Sequence, residues 1–214
     1  MIQSDIWEKY LSENASIEDE LLQEITRVTH LKTVYPQMLS GHTQGIFLQI
    51  ISKLVKPKIV LEIGTFTGYS AICLAKGLEN NGILHTCEHD DQIVPIAENF
   101  FVKAGLQNKI KIHEGNALET INKLDISIDL AFLDGDKSQY TEYYNLIFPK
   151  LKIGGILLAD NVLWYGKVLD TQTNKDPNTL GIAKFNETLA NDKRMLQLII
   201  PLRDGLMMAM KIND

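Results

Sequence analysis

From residue 58 onward, short apolar runs alternate with segments whose apolar residues recur at helical spacing, and few folds accommodate that order. The runs at 58–63, 83–88, 109–113, 128–133 and 154–159 read as strands, and 69–78, 91–104, 116–123 and 139–149 read as the helices between them. The clearest helix is 91–104, where Ile93, Ile96, Ala97, Phe100, Phe101 and Ala104 form one stripe. This β-α-β-α order with short connections predicts a parallel sheet covered by helices on both faces. The end of the chain breaks the pattern. After a helix at 179–190, MLQLIIPL and LMMAMKI flank the tripeptide RDG, and Asp204-Gly205 between apolar runs predicts an antiparallel hairpin. The expectation is an α/β fold with a mostly parallel seven-stranded sheet whose last two strands form that hairpin.

Upstream, Ser16 with Asp19 three residues on has a capping-box pattern and predicts a helix start. Ile17, Leu21, Ile25 and Val28 continue it at helical spacing, and a further helix is predicted over 43–55, ending before Pro57. The chain of 214 residues is 45% hydrophobic, which suits one domain over 1–214, with helices in 1–56 and the α/β core in 57–214. No internal repeat or low-complexity run is present. There is no run of about 18 apolar residues to cross a membrane. The polar, acidic start MIQSDIWEKYLSENAS does not read as a secretory signal. Cys73 and Cys87, in apolar contexts without metal-ligand spacing, suit a reducing cytoplasm. A net charge of −6 disfavours a nucleic-acid partner.

In an open parallel sheet, ligands bind beyond the carboxyl ends of the strands, where strand order reverses. The stretch KIVLEIGTFTGYSAI, residues 58–72, falls at that place. Its glycines, Gly64 and Gly68, are spaced G-x-x-x-G. The dinucleotide fingerprint G-x-G-x-x-G would need a glycine where Phe66 stands. The carboxylate of Glu62 would repel a pyrophosphate but suits a ligand with a cationic end, such as S-adenosylmethionine. Glu88, ending the next strand, fits the ribose of either cofactor. A plain strand–helix turn with a solvated Glu62 remains the structural alternative.

Two further strand ends carry acids, in IDLAFLDGDKSQY and GGILLADNVLWYG. Asp134 follows one strand and Asp160-Asn161 the other. If those strands are neighbours, about 4.8 Å apart, two carboxylates and an amide oxygen converge. Such a hard-oxygen set suits Mg²⁺, with Ca²⁺ or Mn²⁺ as alternatives, and the absence of His or Cys disfavours zinc. Otherwise these acids cap the following helices. Lys137 lies within reach of the same spot. A dication beside it would lower its pKa toward that of a general base, and the alternative is a surface lysine. Trp164 and Tyr165 follow on a loop, where an aromatic ring would stack on a planar substrate or serve packing.

Together, E-I-G-x-x-T-G-Y-S (62–70), D-x-D-K-x-x-Y (134–140) and D-N-x-L-W (160–164) resemble the metal-dependent class I O-methyltransferases of the caffeoyl-CoA type, with catechol O-methyltransferase more distant. The resemblance extends to IQSDIWEKYL and VTHLKTVYPQMLSGHTQGIFLQII before the first strand. It implies a Rossmann-like fold and an S-adenosylmethionine-dependent O-methyl transfer to a vicinal-hydroxyl phenol, a small molecule. It also implies roles for individual residues. Met38, Ser40, Glu62, Gly64, Thr65 and Ser70 would hold the methionine end of the cofactor, Glu88 the ribose, and Ala117 the adenine, with Asp136 a further cofactor contact. Asp134, Asp160 and Asn161 would bind the divalent cation. On the reading of the residues themselves, Lys137 and Asp134 form the catalytic pair, and Lys137, or water, takes the acceptor proton. Tyr165 stands where the family places a substrate-contacting Asn. The stretch DTQTNKDPNTLGIAKF is poor in the Arg and Tyr that grip a CoA ester in the plant enzymes. Lys167, Lys175, Lys184 and Arg203 remain for an anionic substrate, so a CoA ester and a free catechol or flavonoid both stay open. The family implies a homodimer.

Three other readings compete. A nicotinamide oxidoreductase on a similar sheet lacks its glycine fingerprint here. A nucleic-acid methyltransferase would carry Asn/Asp-Pro-Pro-Tyr where this chain has FLDGDK. A non-catalytic module would have little reason to keep the acids, glycines and lysine together.

Overall fold

The computed structural model of the chain describes residues 5–214. Residues 2–4 of the IQSDIWEKYL segment lie outside the described residues, and helix α1 spans Asp5–Glu13. Helices α2 (Glu20–Lys32) and α3 (Gly41–Val55) precede the sheet. The strands are β1 (Ile59–Ile63), β2 (Ile83–Glu88), β3 (Ile110–Glu114), β4 (Ile128–Leu133), β5 (Leu151–Ala159), β6 (Met195–Ile200) and β7 (Leu206–Lys211). Between them run α4 (Tyr69–Ala75), α5 (Val94–Lys103), α6 (Ala117–Lys123), α7 (Tyr140–Ile147) and α8 (Pro177–Asn191).

The strands form one seven-stranded sheet in the order β3-β2-β1-β4-β5-β7-β6. Strands β1 to β5 are parallel, while β7 runs antiparallel to β5 and to β6, so the hairpin predicted from RDG is present. Strand order reverses between β1 and β4, which puts the crevice for a ligand at the end of β1. One core layer packs Leu48, Ile51, Tyr69, Ile72, Phe100 and Phe101 against one face of the sheet. On the other face, Tyr140, Tyr144, Ile147, Ile182, Phe185 and Leu189 cover Leu61, Ala131 and Leu157. The parallel strands are buried on both faces, which is why they read as continuous apolar runs rather than alternating ones.

The predicted helix start at Ser16 is corrected. Helix α2 begins at Glu20, with Asp19 as its N-cap accepting a hydrogen bond from the Leu21 amide. Glu18 stays outside the helix because Tyr69 Oη donates to its carboxylate at 2.5 Å, and Ser16 because its carbonyl meets His42 Nε2 at 2.7 Å. Ile17 is therefore 94% exposed, and the inward face is Leu22, Ile25 and Thr29.

Candidate active site

Register brings the strand ends level. Ile63 pairs with Cys87 and with Leu133, and Leu133 pairs with Ala159. The next residues, Gly64, Glu88, Asp134 and Asp160, therefore stand in one row along the carboxyl edge. Backbone bonds hold that row: the Asp134 amide donates to Ile63 O at 2.8 Å and the Asp160 amide to Leu133 O at 2.9 Å.

On the β1 side, Met38, Ser40, Gly64, Thr65, Ser70 and Asp134 line one crevice, together with Leu39, Phe66, Thr67 and Tyr69. Gly64 has φ +102°, and a Cβ there would lie 2.5 Å from the Asp134 carbonyl oxygen, so only glycine lets the two strand ends meet. Phe66, at the position where a dinucleotide fold needs glycine, holds φ 45° and its amide donates to Glu88 Oε2 at 2.7 Å. A bulky residue in the left-handed region is uncommon, and such outliers concentrate at functional sites.

Glu62 is fully buried. Thr86 Oγ1 donates to its Oε2 at 2.6 Å, and Thr65 Oγ1 meets Thr86 Oγ1 at 2.7 Å. Its Oε1 has no hydrogen-bond partner. Burial pushes the Glu62 pKa up to about 8; Ser70 and Thr86 pull it down, while Asp134 and Glu88 raise it further. A buried carboxyl group with an orphaned oxygen leaves an acceptor open to a donor, neutral or cationic, from a ligand. The solvated reading of Glu62 is thereby excluded. Glu88 also accepts from the His89 and Asp90 amides at 2.9 and 3.0 Å. A carboxylate offers about four acceptor positions, so it can take another donor. Ala117 opens α6 after the Asn116 cap and lies outside the crevice lining. Asp136 caps the turn at 137–139 through Ser138 and Gln139.

On the β4–β5 side, Asp134 and Asp160 end neighbouring strands, and Asn161 follows with φ 58°. Asp160 is 2% exposed. Its Oδ1 accepts from the Asn161 amide at 2.8 Å and its Oδ2 from Gln44 Nε2 at 2.8 Å. Burial pushes the Asp134 pKa up to about 6, with Lys137 opposing and Asp160 adding to the rise. Two carboxylates and an amide are hard oxygen donors and fit a Mg²⁺-like ion. Among the described residues no three His, Cys, Asp or Glu side chains form a metal cage, so the third donor would be the Asn161 amide.

Lys137 is buried, donating to Asp134 Oδ1 at 2.7 Å and to Tyr140 Oη at 2.8 Å. A lowered pKa is the expectation beside a dication; the protein side chains alone act in the other direction. Burial lowers it, but Asp134 and Tyr140 outweigh burial and hold Lys137 above its ordinary value. The reading of Lys137 as a surface lysine also falls. Tyr140 donates in turn to Leu133 O at 3.1 Å and Asp160 O at 3.0 Å, bridging the two strand ends. Its place three residues after Lys137 was the one signal of this role in the sequence.

Trp164 packs against the second core layer, whereas Tyr165 is 76% exposed beside it, ring centroids 5.9 Å apart. Both hold left-handed backbone, and the Tyr165 amide donates to Asp204 Oδ1 at 2.8 Å. Arg203, expected to remain for an anionic substrate, is committed elsewhere. Its Nη1 donates to Ser40 O at 2.6 Å and to Gln44 Oε1 at 3.1 Å. Gln44 itself carried no sequence signal.

A sequence profile described as O-methyltransferase matches residues 12–212. The chain belongs to the O-methyltransferase family. A catechol O-methyltransferase from Niastella koreensis is 33% identical, over 94% of this chain and 94% of that protein. A caffeoyl-CoA O-methyltransferase from Populus kitakamiensis is 32% identical, over 99% of this chain and 96% of that one. The O-methyltransferase TomG from Streptomyces achromogenes, involved in tomaymycin synthesis and solved in complex with S-adenosylmethionine, superposes with a TM-score of 0.92 at 28% identity, each chain covered over 100%. This O-methyltransferase is therefore an S-adenosylmethionine-dependent enzyme of the caffeoyl-CoA O-methyltransferase type, and its fold is the Rossmann-like sheet of that family. The oxidoreductase reading is set aside.

Proposed function

We propose that this O-methyltransferase needs a divalent cation, Mg²⁺ in the first instance, and methylates one of two adjacent hydroxyls on a small phenolic acceptor. One observation carries the reading: the Gly64 turn of the cofactor crevice touches Asp134, the first of the three hard-oxygen donors. A methyl donor seated on Glu62 and an acceptor seated at Asp134, Asp160 and Asn161 would thus be neighbours. The names of relatives that act on catechol and on caffeoyl-CoA support the acceptor class.

The chain's own residues then divide the work. Glu62 neutralises the cofactor's ammonium, while Met38, Ser40, Thr65 and Ser70 wall its methionine end. Glu88 takes the ribose, and Ala117 and Asp136 complete the cofactor side. A cation at Asp134, Asp160 and Asn161 would supply Lewis acidity toward the acceptor hydroxyls. Lys137, held as an ammonium, favours the ionised hydroxyl and keeps Asp134 a carboxylate, while solvent water takes the acceptor proton and S-adenosylhomocysteine leaves as the methyl moves from sulfur to oxygen. Tyr165, exposed at the mouth, offers a ring face to the acceptor, with Trp164 bracing it from below. Holding two reactants in fixed geometry supplies several kcal/mol or more of the rate enhancement.

The acceptor reading favours a free catechol, since Arg203 is occupied by Ser40 and Gln44. Leu196, Leu198 and Met210 share the sheet face of Ile156 and remain exposed, which supports a homodimer formed over that face. The free, buried Cys73 and Cys87 suit a cytoplasmic setting, and the net charge of −6 opposes a nucleic-acid partner. No described helix is long and apolar enough to cross a membrane. The test is an assay with S-adenosylmethionine and a catechol, with and without CoA esters, in EDTA and then in Mg²⁺. Turnover that stops in EDTA and returns with Mg²⁺ supports the proposal; turnover indifferent to both refutes the cation.

A further inference from the structure

The groups around Asp160 come from distant parts of the chain. Gln44, in the first turn of α3, is 1% exposed and donates Nε2 to Asp160 Oδ2 at 2.8 Å. Arg203, from the turn between β6 and β7, donates Nη1 to Gln44 Oε1 at 3.1 Å and to Ser40 O at 2.6 Å. The two contacts fix the Gln44 amide in one orientation, because its oxygen must face the guanidinium and its nitrogen the carboxylate. Arg203 sits at φ 51°, in the left-handed region that tight hairpin turns use. On the other side of the same turn, the Leu163 amide donates to Asp204 O at 3.0 Å and the Val162 amide to Gly205 O at 3.0 Å. A Cβ on Gly205 would collide with Leu163. The Arg203-Asp204-Gly205 turn thus touches the cofactor wall at Ser40, the carboxylate at Asp160 through Gln44, and the loop carrying Tyr165.

We propose that Gln44 and Arg203 are positioning residues for the cation site, a hydrogen-bonded relay that aims the Asp160 carboxylate and ties it to the Ser40 wall of the cofactor crevice. The proposal rests on the reading of Asp134, Asp160 and Asn161 as cation ligands. With Oδ2 anchored by Gln44 and Oδ1 by the Asn161 backbone N–H, the carboxylate cannot rotate freely. Partners that orient a ligating side chain typically change metal affinity by 10- to 100-fold when removed. A merely structural glutamine would change folding stability and leave ion affinity alone.

The experiment titrates Mn²⁺ into the full chain and reads the free ion by electron paramagnetic resonance. S-adenosylhomocysteine affinity is measured by calorimetry, and thermal midpoints are recorded alongside. Wild type, Asp160→Ala, Gln44→Leu and Arg203→Ala are compared. The expected result is strong loss of Mn²⁺ binding in Asp160→Ala, a loss of about 10-fold or more in Gln44→Leu, and a smaller loss in Arg203→Ala. S-adenosylhomocysteine affinity should change less than about 3-fold in Gln44→Leu but fall in Arg203→Ala, whose partner Ser40 lines that crevice. Arg203 is exposed, so its variant keeps the test open if Gln44→Leu folds poorly. Mn²⁺ affinity within 2-fold of wild type in both variants, with Asp160→Ala impaired, overturns the relay and spares the cation site. Loss in Gln44→Leu alone removes Arg203 from the proposal. Mn²⁺ binding absent from wild type, or untouched by Asp160→Ala, overturns the cation site and the relay with it.

Discussion

At the scale of the residue, Glu62 carries the most testable chemistry. An exposed glutamate releases its proton near pH 4.5, whereas Glu62 in the ligand-free protein holds it up to about pH 8. Because the folded value is the raised one, its contribution to stability is present below pH 4.5 and is lost as pH rises through about 8. A cationic ligand needs the carboxylate, so binding below pH 8 must expel that proton. S-adenosylhomocysteine should bind more tightly as pH rises from 6 to 8, by up to about tenfold per unit, in calorimetric titrations. Glu62→Gln keeps the shape and the Thr86 contact but removes the charge. It should flatten that dependence and weaken binding by about 10-fold or more at pH 8. An equally steep profile in the variant would contradict the assignment. The type of residue was legible here, because a glutamate ending an apolar strand before glycines is already odd. The raised pKa was not, since it comes from burial that one strand does not display. Lys137 teaches the same lesson with the opposite sign. Burial lowers its pKa, and it is Asp134, plain in the motif, together with the Tyr140 hydroxyl that more than offsets the burial; that Tyr140 Oη reaches Lys137 Nζ belongs to tertiary packing.

At the scale of the element, alternation and hairpin chemistry were readable because each is a local pattern. The register that levels Gly64, Glu88, Asp134 and Asp160 was readable only as a consequence of parallel neighbours. The α2 start was misread because a capping-box pattern at Ser16 competes with contacts from Tyr69 and His42, which lie far along the chain. Packing of α8 on the turn that carries Lys137 depends on Gly181, where a Cβ would lie 2.6 Å from Lys137 O. Gly181→Ala should push the turn and lower kcat by roughly 10- to 100-fold while S-adenosylhomocysteine affinity stays within about twofold. Unchanged steady-state kinetics would show that the turn tolerates the shift. Toward the β3 edge of the sheet, His85 of β2 and His113 of β3 stack with centroids 5.2 Å apart, and His85 Nδ1 meets His113 Nε2 at 2.9 Å. Burial, then His113 and Lys111, lower the His85 pKa to about 4. The unfolded chain binds the proton near pH 6.5, so this pair's contribution is present above that pH and is lost as pH falls toward 4. The loss should reach about 2 kcal/mol at most, less where solvent screens the pair, in urea unfolding compared at pH 7 and pH 4.5, and His85→Gln should remove most of that difference.

At the scale of the whole molecule, the sheet's topology brings a cofactor crevice and an acidic strand-end pair to one edge, and the last hairpin closes over both. The relay through Gln44 and Arg203 could not be read from sequence, because it joins residues 159 positions apart with no motif between them. The exposed Leu196 and Leu198 were likewise silent, since apolar residues in an edge strand look the same whether a helix or a second chain covers them. Light scattering should give wild type twice the chain mass, and Leu198→Asp, which puts a charge in that apolar face, should shift it toward monomer. A wild type of single-chain mass would contradict the dimer. The most direct test of the central claim is a crystal structure of the protein with S-adenosylhomocysteine and Mn²⁺, read by anomalous scattering. The account predicts one peak touching Asp134, Asp160 and Asn161, with the cofactor's ammonium on Glu62 beside it. A cofactor lying elsewhere, or an ion bound away from those three residues, would contradict it.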